Sequence, residues 1–581
     1  MKNPLAFFKN LVRFVCCSQL HKNDFLGGGQ HLPARPLDWL AVCLLSSLVF
    51  AVAHRLGLAS PYVANDDVRQ QLFWMARWID PALYPPDFLS DYAAAYVPAG
   101  VKALYFVAAK GFGVDPIFFS KLLTGVLFIL LAASLFGIGV TLEGPVLGWF
   151  CAAMAWGMPY FLKNISGGLS RAFAGPLLAL FFWAWLRRSG RGMAWVLLLQ
   201  AATIPYIAML CAGCACLDAV MARLTDKPAA PFPARPVHGL VLVAAAAAVL
   251  GMNQALAAKG FGPLVGRAAL AVGPEFGPSG RLDLFPLPNP FLDLVYWPFE
   301  SIGLFLEWGL FPGIATLAVL APALWIGARR VPWRDYLPLY RPAAMLLAGS
   351  LGLYALARAI ALVLFVPDRY VSYSINLLYA LGLALCLRWF FAGVVARRLG
   401  GPVLCVLAVC FGCWRLSGVG LYDYRADAPL FAAVASLPKD ALVAGNPKDL
   451  DNVLTFGRRD VVASYELAHP WSVGAWKIMT PRLGHQLEAY YAKDPDIVRE
   501  FARVYGVTHM VVREGDYAPK AMEKGPLFAP FDDRIRELAA TSGKFALLDG
   551  AEFPYTSPKP GVRLIDLRRQ PDAPRGEISS E

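Results

Sequence analysis

Between Leu40 and Gly420 the chain is a succession of long apolar stretches, several beyond the roughly 18 uncharged residues that a bilayer-spanning helix needs. A water-soluble core has no room for so many uncharged windows. Composition agrees: 57% of the 581 residues are hydrophobic and 16% are charged, where soluble domains carry nearer 25%. The pattern predicts a mostly α-helical membrane protein. Its spans read Asp38–Leu58, Ile117–Leu142, Pro145–Leu162, Ala172–Leu186, Met193–Pro205, Tyr206–Ala222, Val237–Ala257, Phe299–Gly327, Ala343–Val366, Ser372–Phe391 and Pro402–Gly420, about eleven in all. Met193–Pro205 is short, and Pro205 marks a tight turn within a re-entrant pair.

The formal charge of +12 does not point to nucleic acid, because the basic residues sit in short loops between apolar segments rather than on one face. Such loops carry topology. They are Arg187-Arg188-Arg191, Arg223-Lys227-Arg235, Arg329-Arg330-Arg334-Arg341 and Arg397-Arg398. All four fall on the cytoplasmic side if Val97–Phe112, which carries Lys102 and Lys110, lies along the outer surface instead of crossing. That choice gives a cytoplasmic tail (1–37), a polytopic region (38–420) with outer loops 59–116 and 258–298, and an extracytoplasmic domain (421–581). Within the tail, Leu5–Cys17 is amphipathic and suits the inner surface of the membrane. It lacks the form of a cleaved signal peptide.

After Leu421 the pattern changes. Strand-like pieces at Ala441–Ala444, Val461–Ser464, His509–Arg513, Ala546–Leu548 and Arg563–Leu567 alternate with helical pieces at Ala428–Leu437, Ile497–Tyr505 and Asp533–Thr541. This predicts a small α/β domain. The last dozen residues read as disordered. None of the 11 cysteines lies beyond Tyr422, so this domain has no disulfide staple. Cys211, Cys214 and Cys216 share an apolar helix without a partner histidine, which favours packing over a metal.

The most informative polar stretch opens the first outer loop: Asn65-Asp66-Asp67-Val68-Arg69-Gln70-Gln71-Leu72-Phe73-Trp74-Met75-Ala76-Arg77. Asn65 or Asp66 caps a helix here. Helical spacing puts Asp66, Arg69, Gln70, Phe73 and Arg77 on one face. Capping with salt bridges accounts for part of this pattern; a carboxylate that takes a proton from an acceptor hydroxyl or amine accounts for it as well. Further acids, Asp80, Asp87 and Asp91, alternate with prolines and with Tyr84, Phe88, Tyr92 and Tyr96, aromatics suited to the headgroup layer.

This order of parts resembles the GT-C class of membrane glycosyltransferases: a first span, an outer loop opening on an acidic doublet, surface helices, many spans and a C-terminal outer domain. The class includes protein O-mannosyltransferases and lipid A aminoarabinose transferases. The resemblance implies a GT-C-like bundle and a polyprenyl-phosphate sugar as donor. The first acid of the doublet would be the base or would position the acceptor, which is Asp66 here, with Asp67 beside it. Arg-Gln follows the doublet where better-known members have Asp-Glu and aromatics, so sugar and acceptor do not carry over.

A lipid phosphate requires cations. Lys163 and Arg171 bracket Asn164-Ile165-Ser166-Gly167-Gly168-Leu169-Ser170, whose glycines offer backbone N–H groups to an anion. Arg369 and the intramembrane Arg358 are further candidates, and Arg69 and Gln70 adjoin the doublet. Arg369 has an alternative use in pairing with Asp368 or Asp66. Glu275, Asp283, Glu300 and Glu307 rank lower. His469 and His485 lack metal-ligand spacing. No metal site is read from the spacing, although a divalent ion remains open, and no nucleotide-binding loop is present.

The leading expectation is an inner-membrane glycosyltransferase that moves a sugar from a polyprenyl-phosphate donor to a glycan, lipid or protein acceptor. The alternatives are a transporter or flippase of a lipid or small solute, and a non-catalytic relative that binds glycan.

Overall fold

A computed structural model describes residues 33–225, 231–232, 236–303, 310–364 and 366–568. The amphipathic Leu5–Cys17 run, the final dozen residues, Lys227, Arg235 and Glu307 lie outside the described residues. Helices occupy all eleven predicted segments, with shifted ends: Pro36–Ala53, Pro116–Leu142, Pro145–Gly157 with Pro159–Ile165, Ala174–Leu186, Gly190–Thr203, Pro205–Leu224, Pro236–Ala258, Leu310–Arg330, Leu337–Ala359, Ser372–Phe390 and Gly400–Arg415. Among the described residues, five helices are long and apolar enough to cross a membrane, or seven if each of two bent pairs is one span. Proline opens many of these helices, at a position where its missing N–H is no loss.

One predicted segment differs from the fold. Pro145–Leu162 is not one straight helix: the chain bends by 64° at Met158–Pro159, where Pro159 has no N–H for the preceding turn. Pro205 does separate two helices, Gly190–Thr203 and Pro205–Leu224, which pack against each other.

The helix Pro116–Leu142 is the hub of the bundle. Asp115 caps it by accepting from the Ile117 and Phe118 amides at 2.9 and 3.2 Å. It packs on the helices Pro36–Ala53, Pro145–Gly157 and Ala174–Leu186. Backbone meets backbone at Gly139, where a Cβ would stand 2.7 Å from the Gly148 Cα. At the far end of this helix Glu143 accepts from Arg388 at 2.8 Å and from the Tyr336 hydroxyl. Arg388 ends the helix that begins at Ser372. Asp115 and the turn Pro367–Tyr370 therefore lie at the opposite end of the bundle from Glu143 and Arg388.

The C-terminal region forms a mixed five-stranded sheet in the order β4-β3-β5-β7-β6. Its strands are β3 (Leu442–Gly445), β4 (Asp460–Val461), β5 (His509–Arg513), β6 (Tyr555–Lys559) and β7 (Val562–Asp566). β3 runs parallel to β4 and β5, and β7 is antiparallel to β5 and β6. The α/β reading holds. Ala546–Leu548 is a helical turn rather than a strand, and the missing strand is Tyr555–Lys559, whose Ser-Pro-Lys tail hid it from a hydrophobic pattern. The longest helix of this region, Val473–Tyr490, contains Pro481, which argued against a helix in the sequence.

One small ladder sets up the site. β1 (Val63–Ala64) pairs antiparallel with β2 (Tyr422–Asp423), Val63 opposite Asp423 and Ala64 opposite Tyr422. The Tyr424 amide continues it to the Tyr62 carbonyl at 2.9 Å. The start of the first loop and the start of the C-terminal region are thereby held side by side.

Candidate active site

Immediately after β1, Asn65 turns the chain. Its side-chain oxygen accepts from the Asp67 amide at 3.2 Å, and its amide group donates to the Gly420 carbonyl at 2.9 Å. The helix that follows is short, Val68–Gln71, and the chain tightens into a 3-10 helix over Phe73–Trp78. The expected single face from Asp66 to Arg77 is therefore corrected. Leu72 to Ala76 are all buried, so no side of this segment is left polar, and Arg77 leaves the doublet to stack near Trp74.

The two acids are held differently. Asp66 Oδ1 pairs with Arg69 and accepts from the Tyr424 hydroxyl at 3.0 Å. Its Oδ2 takes no partner among the described residues, and the side chain is 34% exposed. Asp67 is fully engaged: Oδ1 accepts from Gln70 at 3.1 Å and Oδ2 pairs with Arg171. Arg171 also donates to Asn65 Oδ1 at 3.0 Å.

Arg69 lies beneath Tyr424, 4.9 Å from the ring centroid. It reaches Asn452 Oδ1 at 3.2 Å, Glu466 at 3.3 Å and Asp451 at 3.9 Å. Glu466 in turn meets Arg281 at 3.3 Å and Gln70 at 3.5 Å. Arg281 lies flat over Tyr465, 4.0 Å from its centroid. Burial pushes the Asp451 carboxyl up to about 8, against the pull of Arg69. Burial also raises Glu466, with Arg281 pulling it down. An arginine among these acids offsets what two buried carboxylates alone would cost.

A chain of hydrogen bonds backs the doublet. Gln70 Oε1 faces His469 Nε2 at 3.0 Å, and His469 Nδ1 faces the Tyr92 hydroxyl at 2.9 Å. Gln70 spends its N–H groups on carboxylates, so Nε2 of His469 carries the proton and Nδ1 accepts from Tyr92. Burial, joined by the Arg281 charge, holds the imidazole well below its usual value and therefore neutral. The ring stacks on Trp471 at 4.0 Å.

The loop that follows Lys163 crosses beneath Asn65. Gly167 has φ +94°, and a Cβ there would stand 2.8 Å from Asn65 Oδ1. Glycine serves close approach at this point. An anion cradle is not available at Gly168, whose N–H donates to Ile165 at 3.2 Å. Asn164, at the head of the loop, accepts from the Tyr373 hydroxyl at 3.5 Å, and Tyr373 in turn accepts from Arg369 at 3.3 Å. One loop thus carries Arg171 at its end and approaches Arg369 at its beginning.

The predicted cations divide accordingly. Arg171 touches the doublet. Arg369 makes no contact with Asp66 or Asp67; of the two acids weighed as its partner, Asp368 and Asp66, it stands beside Asp368. Arg358 is occupied elsewhere, donating to the Pro288 carbonyl at 2.8 Å and lying 3.8 Å from Asp293. Lys163 is exposed. Sequence reasoning missed Tyr424, Asp451, Glu466 and Arg281 and set His469 aside. The run Tyr465-Glu466-Leu467-Ala468-His469-Pro470-Trp471 was the available signal, an acid and a histidine among aromatics. Among the described residues no three His, Cys, Asp or Glu side chains come together so as to hold a metal ion; arginines occupy the spaces between the acids.

No family model matches the chain, and no curated protein matches it. Among solved structures it is similar to the Archaeoglobus fulgidus oligosaccharyltransferase tethered with an acceptor peptide, at 13% identity and a TM-score of 0.48 over 87% of this chain and 72% of that one. It is also similar to AglB from the same organism in complex with an inhibitory peptide and a dolichol-phosphate, at 11% identity and a TM-score of 0.45 over 85% and 72%. A third is ArnT from Cupriavidus metallidurans bound to undecaprenyl phosphate, at 12% identity and a TM-score of 0.48 over 91% and 97%. These are proteins of the kind that the sequence resemblance named.

Proposed function

We propose that the chain is a glycosyltransferase of the inner membrane, taking a sugar from a polyprenyl-phosphate donor to an acceptor at the extracytoplasmic face. One observation carries this reading: Asp66 is fixed through Oδ1 by Arg69 and Tyr424 while Oδ2 stays free and partly exposed. A carboxylate so held is aimed and still has a lone pair for a proton.

In the reaction an acceptor oxygen or nitrogen forms a bond to the anomeric carbon of the sugar. Its proton passes to Asp66 Oδ2. The bond from the anomeric carbon to the phosphate oxygen breaks, and its electron pair leaves with the polyprenyl phosphate. Arg171 and Arg369 stabilise the charge that grows on that phosphate. Asp67 keeps Arg171 in place and is a positioning residue. The C-terminal region supplies Glu466 and Asp451, which steady Arg69.

The test uses a host strain whose own copy is deleted, complemented with the wild type, Asp66→Asn or Asp67→Asn at matched protein levels. Lipid-linked sugar consumed and glycan attached to envelope acceptors are read by mass spectrometry. The reading predicts that Asp66→Asn abolishes attachment and leaves the loaded lipid to accumulate. Full attachment by Asp66→Asn rejects it. Movement of labelled lipid between leaflets without any new covalent product would favour the transporter.

A further inference from the structure

The turn Pro367–Tyr370 sets two charged side chains next to each other, and each keeps hydrogen-bonding capacity that the described residues do not use. A guanidinium has five N–H donors, and Arg369 uses one, toward the Tyr373 hydroxyl at 3.3 Å. The Asp368 carboxylate takes the backbone amides of its own turn, but its Oδ1 is buried without a hydrogen bond among the described residues, and the Tyr160 hydroxyl, beside Ser372, also lacks a partner in bonding geometry. Tyr160 and Tyr373 lie with ring centroids 6.2 Å apart, as do Tyr206 and Tyr370. Tyr160, Tyr206, Asp368 and Arg369 are close enough to act on one another's charge. They form one cluster.

The neighbouring acid shows what a structural carboxylate does here. Asp293 accepts from the Tyr354 hydroxyl at 2.7 Å and faces Arg358 at 3.8 Å. Asp368 has no such hydroxyl. A buried acceptor without a donor is costly enough to call for an explanation, and this one stands beside an arginine with donors to spare. The ligand that completes both must bring an anion for Arg369 and O–H or N–H groups for Asp368 and Tyr160. A bare phosphate meets only the first need and adds like charge next to Asp368.

We propose that Asp368, Arg369 and Tyr160 form the subsite for the sugar-phosphate junction of the donor, in which Asp368 accepts a hydrogen bond from a hydroxyl or amine of the sugar. This rests on the donor reading above and adds the residue that reads the sugar. It also separates loaded from spent carrier. The loaded lipid is a phosphodiester with one negative charge. Once the sugar has left, the phosphomonoester carries about −1.5 to −2 and has lost the hydroxyls and amine of the sugar, so the same carboxylate repels the product.

The experiment measures binding of three probes to the full chain in nanodiscs by native mass spectrometry: undecaprenyl phosphate, the same lipid bearing a neutral hexose, and the same lipid bearing an amino sugar. The wild type is expected to prefer at least one sugar-bearing lipid over the bare one. Asp368→Asn should narrow that preference about tenfold, and Tyr160→Phe should move it in the same direction by less. Arg369→Ala should weaken all three. An unchanged preference in both Asp368→Asn and Tyr160→Phe overturns the inference while leaving the donor reading standing. Failure of the wild type to bind any of the three overturns the donor reading and the inference with it.

Discussion

The guanidinium of Arg281 meets the carboxylate of Glu466 at 3.3 Å, and each side chain is 12% exposed. The pair joins loop 258–298 to the C-terminal region, while the other Glu466 oxygen holds Arg69 of the first loop at 3.3 Å. One carboxylate clamps the first loop, loop 258–298 and the C-terminal region together. Glu466→Ala leaves two largely buried arginines, Arg69 and Arg281, short of a counter-charge, and such losses cost about 3–5 kcal/mol. The variant should unfold at lower temperature and expose loop 258–298 to protease. Glu466→Gln should fall between it and the wild type.

The doublet acids should give distinct kinetic signatures. Asp66→Asn removes the proton acceptor and should lower kcat by roughly 10²–10⁴-fold with donor KM nearly constant. Asp67→Asn loosens Arg171, so donor KM should rise while kcat falls less. Steady-state transfer assays at varied donor concentration separate the two. Equal losses in both parameters for both variants would contradict the division of roles.

Gly167→Ala should disturb the site without touching a charged residue. Its Cβ would stand 2.8 Å from Asn65 Oδ1 at φ +94°, a conformation that costs an L-residue about 1–2 kcal/mol. Asn65 must move, and Arg171 loses that partner. Donor affinity is expected to drop several-fold, measured by the same binding assay. Gly484→Ala, on the helix Val473–Tyr490 with open space around its Cβ, is the control and should be neutral or slightly stabilising.

His469 gives the docking of the first loop a pH dependence. Its imidazole is held well below 6.5 in the fold, so the unfolded chain takes up protons first on acidification. The stability His469 contributes is present above 6.5 and is lost as the pH falls from there through the folded value. Hydrogen-exchange protection over Phe88–Tyr96 and Tyr465–Trp471, taken relative to the intrinsic rate at each pH, should fall between pH 6.5 and 5 in the wild type. His469→Gln keeps a donor toward Gln70 and removes the titration, so its protection should follow pH less steeply. Parallel profiles would contradict this account.

Much of the bundle could be read in advance because apolar length and Arg-rich loops are local signals. Each of the eleven apolar segments contains a helix among its described residues, and Asp66, Asp67, Arg69, Gln70 and Arg171 do come together. The failures are non-local. The helical face from Asp66 to Arg77 is cut short because Leu72–Ala76 are buried all round, which only tertiary packing decides. Glu466 and Asp451 reach Arg69 from nearly 400 positions away, through the β1–β2 ladder and the fold of the C-terminal sheet. His469 lacked metal spacing, and the aromatic run around it does not say which residue it faces; its place behind Gln70 is set by Tyr92 and Trp471. Arg358 read as functional by its depth, and its partners turn out to be Pro288, Tyr354 and Asp293.

The most direct test of the account is a cryo-EM structure of the full chain in nanodiscs with undecaprenyl phosphate. The phosphate should lie against Arg369, on the side facing Arg171 and the free oxygen of Asp66. Density for the phosphate at the opposite end of the bundle, near Glu143 and Arg388, or out of reach of both Arg171 and Arg369, would contradict it.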